Sequence, residues 1–278
     1  MRFDDLRRPP LDQAALTAAL TGGGTLWRSI EVVEQSPSTN QAVVERARRG
    51  EPEGLVLVAE HQTAGRGRLD RSWVTPQRAA LTFSVLVTPQ TVPGSRWPWL
   101  PLLAGIAVAE GVRRVTEVDC RLKWPNDVIV GERKLAGLLV ERVERADGAA
   151  AVVGVGLNVT SDRAELPVPT ATSLQLEGAG LLDRSVIFRE VLRVFAALYL
   201  QWCAERGDPA GGLRAAYVRR CATIGQEVQV DLPSGERLRG QAVGVDGDGR
   251  LDVRTSAGSR LLGVGDVVHV RPVARSAP

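Results

Sequence analysis

Leu55-Val56-Leu57-Val58-Ala59-Glu60-His61-Gln62-Thr63-Ala64-Gly65-Arg66-Gly67-Arg68-Leu69-Asp70-Arg71-Ser72-Trp73 changes character halfway along. Leu55 to Val58 is a short apolar run rich in branched residues, the pattern of a buried strand. Arg66, Arg68 and Arg71 then bring three permanent charges into a short span, so Thr63 to Arg71 leaves a rigid edge and enters solvent. Gly65 and Gly67 let the backbone approach a ligand closely. Guanidinium forks with backbone amides suit phosphate or carboxylate oxygens, and a flexible loop of this kind can close over a bound anion. Taken alone, Gly-Arg-Gly-Arg also fits a solvated turn or a nucleic-acid contact. It is not a Walker A loop, because no Gly-Lys-Ser or Gly-Lys-Thr follows, and the Rossmann glycine spacing fails.

Upstream, a helix is predicted over Asp12 to Leu20 with Asp12 as N-cap, ending at Gly22-Gly23-Gly24, and a strand over Trp27 to Val33. Ser36-Pro37-Ser38-Thr39-Asn40 leads into a helix, Gln41 to Arg49, stopped by Gly50; Ser38 or Asn40 is expected to cap it. Downstream, Ala80 to Val87 has the pattern of a strand, and a Pro/Trp stretch leads into a helix reaching about Arg114 whose apolar positions recur at helical spacing. In Arg121 to Val130, Lys123 ends a strand and Pro125-Asn126-Asp127 makes a turn before Val128 resumes extended structure. Lys134 to Glu141 is a further strand with Gly137 inside it, marking either a bulge or close approach by a ligand or neighbouring backbone. Ala150 to Val159 repeats the pattern with Gly154, Gly156 and Asn158.

An amphipathic helix is predicted over Asp183 to Glu205, with Leu166 to Gly180 as the loop before it, and a second helix over Pro209 to Arg219. Past Ala222 the composition shifts to short alternating strands with turns at Pro233-Ser234-Gly235 and Asp246-Gly247-Asp248-Gly249, as in a small barrel. The chain therefore divides into 1–222 and 223–278. The acidic turn lacks the ligand spacing of an EF-hand.

Hydrophobic content of 44%, charged content of 24% and a net charge of +3 over 278 residues describe a soluble globular protein and do not argue for nucleic-acid binding. Cys120, Cys203 and Cys221 are widely spaced and the only imidazoles are His61 and His269, so neither a zinc site nor a disulfide framework is expected, and a cytoplasmic setting is. No stretch is long and apolar enough to span a membrane.

Together, Ser38-Thr39-Asn40, Glu60 to Arg68, Lys123-Trp124-Pro125-Asn126-Asp127, Lys134-Leu135-Ala136-Gly137 and Gly154 to Asn158 stand in the order found in the biotin protein ligases, which this sequence closely resembles. Any single piece is weak, while five in register are specific. The resemblance implies an α+β fold: a mixed, mostly antiparallel sheet flanked by helices, related to class II aminoacyl-tRNA synthetases, followed by a small C-terminal barrel of Src-homology-3 type. It implies an ATP-dependent ligase that activates biotin as biotinyl-5'-adenylate and passes it to a lysine of a biotin carboxyl carrier domain of acetyl- or acyl-CoA carboxylase. ATP and biotin are then substrates and Mg²⁺ is required, while no particular metal ligand is indicated. Neither DNA nor membrane is an expected partner, and the enzyme is expected to be a monomer or homodimer. The short lead before Trp27 leaves no room for the DNA-binding domain that some relatives carry, so a monofunctional ligase is expected.

By the same resemblance, Arg66, Arg68, Lys123, Asp127 and Lys134 are the catalytic candidates, the cations facing phosphoryl oxygens and Asp127 orienting the incoming lysine or taking its proton. Biotin would lie against Ser38, Thr39, Asn40, Gln62, Arg66, Gly67, Arg68, Lys134 and Gly137; hydroxyls and amides match the donors and acceptor of its ureido group. ATP would meet Arg68, Arg71, Trp73, Asn126, Lys134 and Asn158. The chain departs from the family at Leu69-Asp70-Arg71, where many relatives have a more basic Arg-Gly-Arg; the change lowers the flexibility and charge on which adenylate retention rests. A lipoate or octanoate transferase of the same fold has no ureido to satisfy, which the polar Ser38 to Asn40 turn and Gln62 count against. A noncatalytic sensor built on the scaffold would not need its five charged candidates together.

Overall fold

A computed structural model describes residues 8–69, 71–263 and 266–269. The lead before Arg8, Asp70 in the arginine-rich stretch, and the segment from 270 onward lie outside the described residues. The first unit is built on a seven-stranded sheet among those residues, in the order β1 (Ser29–Val33), β2 (Leu55–Ala59), β5 (Ala80–Val87), β9 (Gly148–Asn158), β8 (Arg133–Arg145), β7 (Asp127–Val130) and β6 (Arg121–Lys123). Only β1 and β2 pair in parallel; the other pairings are antiparallel, so the sheet is mixed and mostly antiparallel. β3 (Gly65–Arg66) and β4 (Ser72–Trp73) form a separate two-stranded ribbon.

Alternation along the strands sorts side chains onto two faces. Val56, Val58, Val85, Val87, Val153 and Leu138 face a large core shared with α3 (Trp99–Thr116) and α4 (Arg184–Ala204). Leu55, Leu57, Leu86, Val143, Ala150 and Val152 face the opposite way, against Val43, Val44 and Ala47 of α2 (Thr39–Arg48). Because α2 is short, it covers only part of this second face. The lead helix α1 (Gln13–Leu20), capped by Asp12 as expected, places Leu16 and Leu20 in the large core.

Several boundaries differ from the sequence pattern for local reasons. Trp27 precedes β1; its buried indole donates to Leu192 O at 3.2 Å, a tertiary contact that strand propensity does not report. α2 begins at Thr39 with Ser38 as N-cap. The helix expected over Pro209 to Arg219 is a short 3₁₀ turn, Pro209–Gly211, followed by α5 (Leu213–Arg220), broken at Gly212, whose φ of 127° no α-helix accepts.

The C-terminal unit is a five-stranded antiparallel sheet in the order β13 (Gly258–Leu262), β12 (Leu251–Thr255), β11 (Arg237–Val245), β10 (Glu227–Asp231), β14 (Asp266–His269). Among the described residues it is a small five-stranded antiparallel sheet, with no pairing between its two end strands to close the expected barrel. Its Asp246–Gly249 turn is the docking point. Asp246 Oδ1 accepts from Asp248 N and Arg250 N, both at 2.9 Å, which folds the turn on itself. The carbonyls then receive the first unit: Trp99 Nε1 donates to Gly247 O at 2.8 Å, Trp124 Nε1 donates to Gly249 O at 3.1 Å, and Arg96 also donates to Gly247 O.

Glu110 on α3 collects Arg113, Arg114 and, from α5, Arg220. The hydrogen bond from Arg113 is the largest of the effects that hold its carboxyl down at about 2. A depressed carboxyl stabilises the fold above its ordinary pKa and ceases to do so as pH falls through the folded value. Glu110→Gln is expected to cost about 1–2 kcal/mol at neutral pH. Urea denaturation should show the gap from the parent narrowing from about pH 5 down to about pH 2; a pH-independent gap would contradict the ion-pair account.

Candidate active site

Where α2 stops covering the sheet, three side chains are missing. Gly137 on β8 pairs with Gly156 on β9, and Leu139 pairs with Gly154. By the two-residue period these glycines share the face of Val143, Ala150 and Val152. Each is bare for a stated reason: a Cβ on Gly154 would overlap the Asn40 amide, and one on Gly156 the Trp73 indole. On Gly137 a Cβ would stand 3.1 Å from Lys134 Nζ and 3.2 Å from the Trp73 ring. The register shift in this part of the sheet falls between Val128 and Ile129, leaving Leu135 as the extra residue, so Gly137 answers close approach and not a bulge. A cavity of about 530 Å³ stands over this floor.

Its first wall is the start of α2. The Asn40 amide is fully engaged: Oδ1 accepts from Ser84 Oγ at 2.6 Å, while Nδ2 donates to Leu139 O at 3.2 Å and Glu141 Oε2 at 2.9 Å. Thr39 donates from its backbone N to Gln62 Oε1 at 2.8 Å, and its hydroxyl lies 3.1 Å from the same oxygen. Ser38 Oγ is a long 3.5 Å from the Gln41 N–H it caps. Two lining groups thus keep hydrogen-bonding capacity, the Ser38 hydroxyl and the Gln62 amide nitrogen.

The second wall is the arginine-rich stretch, which is a short hairpin instead of an open loop. Gly65 pairs with Trp73 and Arg66 with Ser72, Gly67 N donates to Arg71 O at 2.6 Å, and Arg71 N donates to Arg68 O at 3.3 Å. Those pairings satisfy backbone groups that an open loop would leave to water. Thr63 N and Ala64 N donate to Ser36 O and Pro37 O, tying the hairpin to the first wall. Arg68 Nη1 donates to Asn126 Oδ1 at 3.0 Å, and Arg66 Nη1 lies 3.5 Å from Glu141 Oε1. Trp73 lies over the glycine floor with Lys134 Nζ 6.0 Å from its ring centroid. Its indole N–H is buried and has no hydrogen-bond partner, an orphan donor of the kind that costs about 1–3 kcal/mol until met.

The third wall comes from β6 to β8. Lys123 and Asp127 are cross-strand partners around the Trp124–Pro125 cis peptide, and Asp127 Oδ1 lies 2.7 Å from Lys134 Nζ. Asn126 Nδ2 donates to Leu138 O at 2.8 Å. Residues 170–172 bond to the edge of β8: Lys134 N donates to Thr170 O at 2.7 Å and Thr172 N to Lys134 O at 2.8 Å. Asn158 Nδ2 donates to Thr172 O at 2.9 Å, which brings Pro167, Val168 and Ala171 to the rim.

Ser38, Thr39, Asn40, Gln62, Arg66, Gly67, Arg68, Arg71, Trp73, Lys123, Asn126, Asp127, Lys134, Gly137 and Asn158 all line this one cavity. Its charged lining is five cations and one carboxylate, an arrangement that draws polyanions. Among the described residues no group of three His, Cys, Asp or Glu side chains could hold a metal ion. Four supporting residues were not among the site candidates read from the sequence. Ser84 is a hydroxyl in the otherwise apolar half of β5, and Glu141 sits at the end of the expected strand; both hold Asn40. Glu60 and Arg184 form a buried pair at 2.6 Å with side chains 1% and 4% exposed. Glu60 also accepts from Leu11 N and Arg184 donates to Pro9 O, so the root of the hairpin is moored to α4 and to the lead. The signal available was Glu60 itself, directly after a buried strand and at the start of the Glu60 to Arg68 block.

Residues 32–158 match the biotin/lipoate A/B protein ligase family, and residues 223–270 match the biotin protein ligase C-terminal domain. The chain is 42% identical over 271 residues to the biotin–[acetyl-CoA-carboxylase] ligase of Mycobacterium tuberculosis, covering 96% of this chain and 98% of that protein. It is 30% identical to the bifunctional ligase/repressor BirA of Bacillus subtilis, over 83% of this chain and 70% of that one. Among solved structures, the biotin protein ligase of Aquifex aeolicus in complex with biotin and ATP superposes with a TM-score of 0.74 at 28% identity, covering 88% of this chain and 100% of that chain.

The glycine floor makes a direct prediction. Gly154→Ala forces a methyl into the Asn40 amide and should destabilise the protein by about 1–3 kcal/mol. Gly180→Ala, which meets nothing within 4 Å, should leave the calorimetric Tm unchanged. Equal Tm values for the two variants would contradict the close approach of Asn40 to β9.

Proposed function

The chain belongs to the biotin/lipoate A/B protein ligase family, and from that premise we propose that it joins biotin to ATP and hands the biotinyl group to a lysine of a carboxylase carrier domain. The observation that carries this reading is the cavity lining: five cations and one carboxylate around a glycine floor, beside a turn of hydroxyls and amides. An oxygen of the biotin carboxylate attacks the α-phosphorus of MgATP, the bond to the bridging oxygen of the β-phosphate breaks, and pyrophosphate departs with that oxygen. The amine of the carrier lysine then attacks the acyl carbon, loses a proton, and AMP leaves.

Charge gathers on phosphoryl oxygens in the first step, so Arg66, Arg68, Lys123 and Lys134 serve it by electrostatic stabilisation. Arg71 adds to the field over the triphosphate. Mg²⁺ would arrive with the nucleotide and would neutralise part of the charge gathering on its phosphates. Ser38 and the Gln62 amide nitrogen present a hydroxyl and a donor to the ureido ring; Thr39, Asn40 and Gly67 shape that end of the pocket. Gly137 gives the bicyclic ring its flat support. Trp73 has an orphan N–H for an acceptor on the adenylate, and Asn126 and Asn158 brace the adenine side through Arg68 and the 170–172 segment.

Asp127 already holds Lys134. When the triphosphate draws Lys134 away, that carboxylate is released to orient the carrier amine or take its proton. In this division of labour residues 1–222 carry the chemistry and 223–278 brace the Lys123 to Asp127 block. A cytosolic setting belongs to the same reading; among the described residues no helix is long and apolar enough to cross a membrane.

Incubation with biotin, MgATP and a carrier domain should give a band detected by streptavidin. Lys134→Ala should slow adenylate formation about 100-fold while ATP binding weakens only about threefold; equal losses would contradict a transition-state role. Asp127→Asn should slow acyl transfer from preformed adenylate about tenfold or more. An unchanged single-turnover transfer rate would remove Asp127 from the second step.

A further inference from the structure

Large apolar side chains are exposed at seven positions among the described residues, and three of them gather at the cavity mouth. Val74 is 63% exposed and Val168 49%, yet both line the cavity, so they stand on its rim. Leu69, 55% exposed, sits at the tip of the hairpin between Arg68 and Arg71, which line the same cavity. Its backbone is unusual as well. Arg71 N donates to Arg68 O, and Leu69 has a left-handed φ of 54°. A left-handed turn position suits glycine or asparagine, and a leucine there is strained as well as wet. Two unfavourable features at one residue call for a compensating contact, and among the described residues neither apolar core cluster includes Leu69.

We propose that Leu69, Val74 and Val168 form an apolar docking rim for the folded carrier domain that presents the acceptor lysine. This rests on the ligase reading above. A lysine side chain spans about 6 Å from Cα to Nζ. For its amine to reach an acyl carbon held inside the cavity, the carrier backbone must come down onto the mouth and cover whatever lies there. Apolar contacts ringed by cations, here Arg68 and Arg71, match the usual make-up of a protein interface, with an apolar centre and a polar margin. The rim acts only in the second half-reaction, because biotin and ATP enter before the carrier arrives.

Hydroxylamine separates the half-reactions: it attacks the biotinyl-adenylate at the acyl carbon and releases AMP, giving the hydroxamate without any docked protein. With biotin, MgATP and the purified carrier domain of an acetyl-CoA carboxylase, Leu69→Ser should raise the KM for the carrier about threefold and Leu69→Ser/Val74→Ser about tenfold. Hydroxamate formation should fall by clearly less than carrier transfer does, and Leu69→Met should restore the carrier KM. An unchanged carrier KM in the double variant overturns the proposal. So does a loss of hydroxamate formation equal to the loss of carrier transfer, which would assign these side chains to the adenylate. A parent protein that makes no hydroxamate overturns the ligase reading instead, and the rim with it.

Discussion

A close-packed protein makes a cavity only where side chains are withheld, and here the withholding is done by Gly137, Gly154 and Gly156 on one face of two adjacent strands. The space they leave is immediately claimed by Asn40 and Trp73, so the bare strands and the polar turn are one device. Asn40 can lie against β9 only because Gly154 has no Cβ, and once there its amide must be met completely. Ser84, Leu139 O and Glu141 meet it. The start of α2, which carries Ser38 and Thr39, is thereby fixed against the sheet to within a hydrogen bond. What remains unmet is the buried Trp73 indole N–H, which lies over Gly156 in the same arrangement.

Two buried connections carry this local order into the rest of the chain. The Glu60–Arg184 pair anchors the root of the hairpin, and its remaining lone pairs and protons are taken up by Leu11 N, Pro9 O and Ala80 O. Such a pair adds little as a pair, but removing one partner strands a buried charge at a cost of about 3–5 kcal/mol. On the other side, the Asp246–Gly249 turn holds Trp124 through its indole, and Trp124 N donates to Thr223 Oγ1 at 3.1 Å. Lys123, Asn126 and Asp127 are therefore positioned from the C-terminal unit as well as from their own strands.

Much of this was legible in the residues and some of it was not, for reasons that differ by element. β5 over Ala80–Val87 and α4 over Arg184–Ala204 follow from unbroken periodicity, and the Ser38 cap from the local chemistry of hydroxyls before a helix. All fifteen candidate site residues line one cavity because their motifs lie at strand ends and turns facing the same side. Hidden were the links that depend on tertiary neighbours: Ser84 as the partner of Asn40, Arg184 as the partner of Glu60, and the pairing of 170–172 with the edge of β8. The glycine in β8 was ambiguous between bulge and close approach, and only the register could separate them. The small barrel expected for the C-terminal unit is seen, among the described residues, as a five-stranded antiparallel sheet without a closing pair, since strand spacing alone does not fix how end strands meet.

Across the cavity the charges are unbalanced towards cations, while the α2 side offers uncharged hydroxyl and amide groups. On the proposed reading, that asymmetry puts the nucleotide at one end and the vitamin at the other. Biotin-dependent exchange of labelled pyrophosphate into ATP tests the assignment most directly. The account predicts exchange with biotin and magnesium present, none without biotin, and none when lipoate replaces it. Exchange that ignores biotin, or that lipoate supports equally, would contradict it.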